Sequence, residues 1–243
     1  MTRSLFMVLF CLCLAAPAYP ESGDAILKKV DRNLTPEAFE MYRKLINIEP
    51  DGTKKEFIMY SVKKGRDRIA SVFLSPASEK GRATLRVGEN MWLYIPNVGK
   101  PIRITSLQSV TGGIFNNADI MRLDYSAEYN CEKMERAQNQ LLLHLKAKTR
   151  SVAYDRVRMW VDPEKLLPTK IECFASSGML IKTLYFKKIR DFGGRLLRPA
   201  VIETDSPLHK GYRSVMIFAG VKKRDLPDEV FTLDFLPRVK SLR

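Results

Sequence analysis

Side chains able to do covalent chemistry are few in this chain and do not fall into patterns. There are two histidines, His144 and His209. His144 stands in the alternating run Leu141 to Leu145, where it is expected to point away from the leucine face, and His209 sits in a Pro207 to Gly211 turn. Serine-based acyl transfer would need a nucleophile such as Ser109 or Ser151 to converge on His144, and no nucleophile-elbow pattern occurs. Cys131, Cys173 and the histidines lack the close ligand pairs of zinc sites. No glycine-rich loop links a strand to a helix in the manner of a phosphate cradle. Asp155 and Asp162 read as turn residues. The expectation is a protein with no catalytic residues, no metal and no cofactor.

The chain is instead organised by its hydrophobic pattern. Arg3 precedes an apolar run from Leu5 to about Ala16, which closes on Ala16-Pro17-Ala18, small residues at the spacing a signal peptidase cleaves. That run is short of the roughly 20 residues a spanning helix needs. Residues 1–18 therefore read as a secretory signal, with Cys11 and Cys13 in its hydrophobic region, and 19–243 as a single domain. About 225 residues remain after cleavage, ample for one core. Cys131 and Cys173 would then be in a compartment where disulfides persist. A bond between them would close a loop of roughly 40 residues, worth about 4 kcal/mol, while two buried thiols fit the same spacing.

A short helix is expected first, capped by Ser22 or Asp24 and carrying Ile26, Leu27 and Val30. Period two then takes over. Glu40 to Ile48, Glu56 to Val62 and Arg66 to Leu74 are parted by the hairpin signals Asp51-Gly52 and Lys64-Gly65. Ala83 to Val87, Met91 to Ile95 and Ile102 to Ile104 follow. Between Thr105 and Asp119 alternation fails, and Gly112-Gly113 with Asn116-Asn117 marks a long connection carrying a short helix near Ala118 to Arg122. Strand patterning returns at Tyr125 to Cys131, Gln140 to Ala147, Arg156 to Val161, Lys170 to Ala175, Leu180 to Ile189, Leu197 to Thr204 and Tyr212 to Val221. So many strands must bury one face. A mainly β fold with minor α satisfies this: a single curved antiparallel sheet with one or two helices on its concave side.

The net charge is +14 with 45% apolar residues, which excludes disorder. Lys54-Lys55, Lys63-Lys64-Gly65-Arg66, Lys187-Lys188 and Lys222-Lys223-Arg224 fall at expected strand ends. They fit a solvated, edge-protecting rim, and equally an attraction to an anionic membrane surface. The export signal argues against nucleic acid as a partner.

Met91 to Ile104, MWLYIPNVGKPIRI, is followed by a loop from Gly112 to Asp119 ending in NNAD, and then Ile120. Met159 to Lys170 reads MWVDPEKLLPTK, with Gly178 and Lys182 beyond it, and Asp225 to Phe231 reads DLPDEVF. In this order these blocks resemble a family of secreted bacterial proteins related to LolA, the periplasmic carrier of outer-membrane lipoproteins. The likeness spans nearly all the mature chain. It implies an open half-barrel sheet whose apolar concave face is covered by a helical lid, with the DLPDEVF segment preceding a last strand. It also implies a periplasmic protein of a Gram-negative-type bacterium, acting as a monomer. Its partners would be lipid or acylated lipoprotein cargo, received from an inner-membrane transporter and moved to the outer membrane without covalent chemistry. The classical carrier is shorter, and the cargo of the broader group need not be a lipoprotein. The carrier's gating arginine has two candidate matches, Arg43 and Arg68.

Such a cleft would be lined from alternating faces by Phe57 and Met59, by Met91, Leu93 and Ile95, and by Val157, Met159 and Val161. Each would otherwise serve as ordinary core. Trp92, Tyr94 and Trp160 fall on the opposite parity, and a slip of one residue would exchange the two sets. A second reading keeps the fold but fills the concavity with side chains, giving a non-catalytic envelope interaction or sensor module, or an accessory of an inner-membrane exporter.

Overall fold

Strict alternation along Ala38–Ile48 (β1) turns Phe39, Met41 and Leu45 to one face and Glu40, Tyr42 and Lys44 to the other. The computed structural model describes residues 21–243 except residue 195, so the expected signal sequence lies outside the described residues. Around β1 it builds a 13-stranded antiparallel sheet. One arm comprises β2 (Lys54–Lys64), β3 (Arg68–Ser75), β4 (Ala83–Val87), β5 (Asn90–Tyr94) and β6 (Pro101–Ile104). The other comprises β7 (Tyr129–Ala137), β8 (Gln140–Ala147), β9 (Arg156–Asp162), β10 (Leu167–Phe174), β11 (Leu180–Asp191), β12 (Leu197–Asp205) and β13 (Arg213–Lys223). The arms join where β1 pairs with β13, and β6 and β7 are the two unpaired edges. The sheet is an open half-barrel.

This topology explains the long connection. To pass from one edge of the sheet to the other, residues 105–128 must cross the concave face, carrying the one-turn helices α2 (Asn117–Ile120) and α3 (Tyr125–Glu128). The longer helix α1 (Gly23–Leu34) lies on the same face, against α3, β7, β10 and β12. Ser22 Oγ caps it by accepting from Ala25 N at 3.2 Å, and Thr35-Pro36 ends it. Ile26, Leu27, Val30 and Leu34 form its buried stripe.

A second, smaller core lies on the convex face. After β13 the chain makes 3-10 turns at Asp228–Phe231 and Leu236–Leu242 that seat Val230, Phe231, Leu236 and Val239 on Tyr60, Val62, Val72 and Leu85. Covered on both sides, β2 and β3 are therefore buried without a break from Tyr60 to Val62 and from Ile69 to Phe73, apolar except for Ser61 and Ser71, which bond to each other.

Three expectations need correcting. No strand follows DLPDEVF; that segment is a 3-10 turn whose apolar side chains find burial on the convex face instead of in a ladder. Tyr125 to Cys131 is not extended throughout, because the Asp31 carboxylate accepts from Tyr125 N and Ser126 N at 2.8 Å each and holds a helical turn there. Lys63 is not on the rim: it points inward, 2% exposed, and pairs with Asp124 at 2.5 Å. Of the two alternatives open for Cys131 and Cys173, the structure has free thiols, Cys173 buried and Cys131 partly so. They sit in one cross-strand row, Cys131 opposite Leu145, Leu145 opposite Val157 and Val157 opposite Cys173. Three strand spacings put them about 14 Å apart, far beyond disulfide reach.

Candidate functional site

The site is the interface between the concave face and the two segments that cover it. Inward-facing polar side chains of the sheet grip the crossing segment by its main chain. From β1, Arg43 donates through Nη1 to Ile120 O at 2.5 Å and through Nη2 to Ser61 Oγ at 2.7 Å. Two turns of the pleat further along, Asn47 Nδ2 donates to Thr111 O and Gly112 O at 3.1 and 3.0 Å. Gly113 follows with φ +74°, and a Cβ there would lie 2.3 Å from Asn47 Oδ1, so only glycine allows the loop to come this close. From β4, Arg86 reaches Met121 O at 3.3 Å and pairs with Glu128.

The NNAD segment is the hinge of this arrangement. Asn116 and Asp119 form a reciprocal capping box at the start of α2, with Asn116 N donating to Asp119 Oδ2 at 3.0 Å and Asp119 N donating to Asn116 Oδ1 at 3.1 Å. The box aims the Asp119 carboxylate down to the sheet, where Lys182 Nζ of β11 meets it at 2.7 Å and Tyr154 Oη donates to it at 2.9 Å. Burial, with Asp119 beside it, pushes the Tyr154 phenol well above its ordinary range, so it stays a donor. Helix α1 is held separately. Asp24 Oδ1 accepts from Cys131 N at 2.7 Å, Asn33 Nδ2 donates to Lys165 O at 3.0 Å, and Asp31 caps α3 as described.

Under these covers the concavity is almost filled. Two small voids remain there, of about 40 and 20 Å³, room for a few waters and far below the roughly 300 Å³ at which small-molecule pockets begin; the first of them is bordered by charge. Its apolar walls include Phe39, Met41, Ile69, Phe115, Ile202, Met216 and Phe218, and three guanidinium groups, Arg43, Arg122 and Arg198, border it. Arg198 is 1% exposed and lies over the Phe218 ring with its guanidinium carbon 4.2 Å from the centroid. Among the described residues its Nε and Nη1 have no acceptor, nor has Nε of Arg43. Burial, then the charges of neighbouring arginines, pull the pKa of both down to about 9, which leaves them cationic at neutral pH. A buried guanidinium resting only on rings gains about 2 kcal/mol or somewhat more from those contacts, against a desolvation cost of several kcal/mol.

Of the residues expected to line a cleft, Phe57, Met59, Met91, Val157, Met159 and Val161 share the concave-face core with α1. Leu93 is buried beside them in β5, whereas Ile95 lies past the end of that strand and is half-buried. Trp92 and Tyr94 pack instead under the C-terminal turns, and Trp160 lies on the convex face beneath Lys170 Nζ, 3.6 Å from its centroid. The 40 Å³ void lies over β1, β3, β11, β12 and β13, and of the expected cleft residues Val157 alone lines the 20 Å³ one. Patterning that assigns charge and amide groups to solvent does not single out Arg198, Asn47 or Arg86, and marks Lys182 only as part of the family block. The available signal was parity: Arg43 alternates with Met41 and Leu45, and Arg198 with Ala200 and Ile202, on the inward face. Arg68, the other candidate for a gating arginine, pairs with Asp228 at 3.1 Å at the surface.

The residues suited to catalysis do not converge. His144 Nε2 sits 2.9 Å from Glu135 on the neighbouring strand, Ser109 Oγ donates to Phe115 O at 2.7 Å, and Ser151 Oγ faces Thr149 Oγ1. Among the described residues, no group of three or more His, Cys, Asp or Glu side chains is placed to hold a metal ion.

No curated protein matches the sequence. Residues 65–238 match a family model described as "Uncharacterized protein". The LolA superfamily protein NE2245 from Nitrosomonas europaea is 30% identical and superposes with a TM-score of 0.81, over 89% of this chain and 100% of that one. A DUF1329 family protein from Desulfovibrio piger shares the fold at 20% identity and a TM-score of 0.75, over 88% of this chain and 97% of its own. So does a putative outer membrane lipoprotein-sorting protein domain from Vibrio parahaemolyticus, at 18% and 0.73, over 89% and 98%. An open half-barrel, a lid gripped by inward arginines and this identity over the full length of a relative lead to one assignment: the chain belongs to the LolA superfamily.

Proposed function

We propose that this protein is a periplasmic carrier that holds the acyl chains of a lipid or lipoprotein between the concave face and its lid, and conveys them from the inner to the outer membrane without covalent chemistry. The observation that carries the reading is the form of the cover. The concave apolar face is closed by α1 and residues 105–128, a helix ahead of the first strand and one connecting segment, rather than by a second sheet. Such segments can be displaced without breaking the strand ladder. The energies match. Burial of Ile26, Leu27, Val30 and Leu34 is worth roughly 6–12 kcal/mol, and ten methylenes of an acyl chain return about 8 kcal/mol. Cargo can therefore replace the apolar burial of α1, which leaves the hydrogen bonds of Asp24, Asp31 and Asn33 as the cost of displacing it. Among the described residues, no helix is long and apolar enough to cross a membrane.

The small void favours a second reading, in which the concavity stays filled and the protein serves as an envelope interaction or sensor module, or as an exporter accessory. One experiment separates them: native mass spectrometry of the protein purified from a periplasm, followed by organic extraction and lipid analysis. Near-stoichiometric lipid or acylated peptide supports the carrier. A protein that is reproducibly empty and takes up no added lipid supports the packed module.

A further inference from the structure

The concave face carries more positive charge than it neutralises. Lys63 pairs with Asp124, Arg86 with Glu128, and Lys182 with Asp119. Arg122 lies close enough to Asp31 and Asp119 to feel both charges, and donates to Tyr125 Oη at 3.2 Å. Arg43 and Arg198 have no carboxylate within ion-pair distance among the described residues. Arg43 at least has its carbonyl and hydroxyl acceptors. Arg198, 1% exposed, has only aromatic faces and two unmatched donors beside the void. Desolvating a cation without a counter-charge works against folding, and Met or Leu would fill the same space without that cost. The arrangement makes sense when an acceptor-rich, negatively charged group enters the void.

We propose that Arg198, with Arg43 and Arg122, forms a subsite for the anionic head of an amphiphile, a phosphate or carboxylate, whose acyl chain lies along Phe39, Met41, Ile202 and Met216. This rests on the carrier reading and narrows it. The three forks would offer charge-assisted and bidentate bonds to such a head. An acylated peptide with no anion at its lipid-bearing end would leave Arg198 as unmatched as it is now. The subsite therefore selects an anionic lipid or fatty acid over an acylated polypeptide.

The test is calorimetry on the purified protein with three probes below their aggregation limits: dodecyl phosphate, 1-dodecanol and inorganic phosphate. Dodecyl phosphate is expected to bind roughly tenfold or more tighter than dodecanol, the gain for hydrogen bonds to a charged group. In Arg198→Met that ratio is expected to fall towards one, with Arg198→Lys in between. Equal affinity for dodecyl phosphate and dodecanol overturns the subsite and leaves the carrier reading standing. Inorganic phosphate binding as tightly as dodecyl phosphate overturns the lipid head in favour of a free-anion site. Failure of both dodecyl probes removes the carrier reading itself. Should Arg198→Met not fold, the comparison of probes on the unaltered protein decides alone.

Discussion

Arg43 Nη1 lies 2.5 Å from the main-chain oxygen of Ile120, joining the middle of the central strand to the helical turn above it. Removal of the guanidinium takes away one of the lid's attachments, the one at Ile120, yet leaves Ser61 and Ser71 bonded to each other at 2.7 Å. It also removes a desolvated charge, so replacement by a side chain of similar volume costs little in total stability. Arg43→Met is therefore expected to change global stability by no more than about 1 kcal/mol, while amide exchange across residues 117–121 accelerates several-fold. Unchanged exchange there would show that the remaining grips of Asn47, Arg86 and Lys182 hold the lid without Arg43.

Gly23 begins α1 directly against Cys131. A Cβ at Gly23 would lie 3.0 Å from Cys131 Cβ, somewhat closer than the roughly 3.8 Å typical of a disulfide. A shift of under about 1 Å at the helix start would fit one. Gly23→Cys is expected to form this bond on oxidation and to tie α1 to β7. If cargo enters by displacing α1, uptake of a fluorescent fatty acid should slow markedly in the oxidised protein and recover on reduction. Equal uptake in both states would place the entrance under residues 105–128 instead.

The sequence shows the sheet because alternation is written locally. Val157, Met159 and Val161 lie on the face expected of them, as do Trp92 and Tyr94 on the other. The NNAD and Lys182 landmarks carry a physical meaning that spacing could not reveal, since the ion pair between Asp119 and Lys182 forms only when the crossing segment folds over the sheet. The same holds for Arg198. A reading that assigns charges to solvent sends it outward, and only strict parity with Ala200 and Ile202 turns it in. The C-terminal turns were misjudged for a related reason: Leu236 and Val239 have apolar partners on the convex face, which a half-barrel scheme leaves exposed.

Two carboxyls on opposite faces should give opposite pH dependences. Burial, with the Asp124 charge adding to it, raises Asp31 above its ordinary 3.8 despite its bonds from Ser126 and Tyr125. The folded protein thus holds that proton more tightly than the unfolded chain, and stability rises as pH falls through the raised pKa. For Glu40, burial opposes ionisation, but hydrogen bonds from Arg224 and Tyr60 prevail and hold it below its ordinary 4.5. Its contribution is present above 4.5 and lost as pH falls through the lowered pKa. Urea denaturation between about pH 7 and 3 is expected to show Asp31→Asn flattening the rise and Glu40→Gln flattening the fall. The reverse assignment would refute the burial of Asp31 between α1 and α3.

The Glu40 pairing also ties down the C-terminal turns. Arg224 Nη1 bridges Glu40 at 2.5 Å and Leu242 O at 2.6 Å, and Leu236 beneath them is fully buried. Because this core is separated from α1 by the thickness of the sheet, damage to it should lower stability without altering the cleft. Leu236→Ala is expected to cost about 2–4 kcal/mol in urea denaturation. Leu27→Ala, on α1, should cost a similar amount but also change lipid affinity, because it loosens the cover that cargo displaces. Equal effects of the two variants on lipid binding would mean that the sheet transmits strain between its faces. The convex turns would then belong to the carrier mechanism rather than to its scaffold.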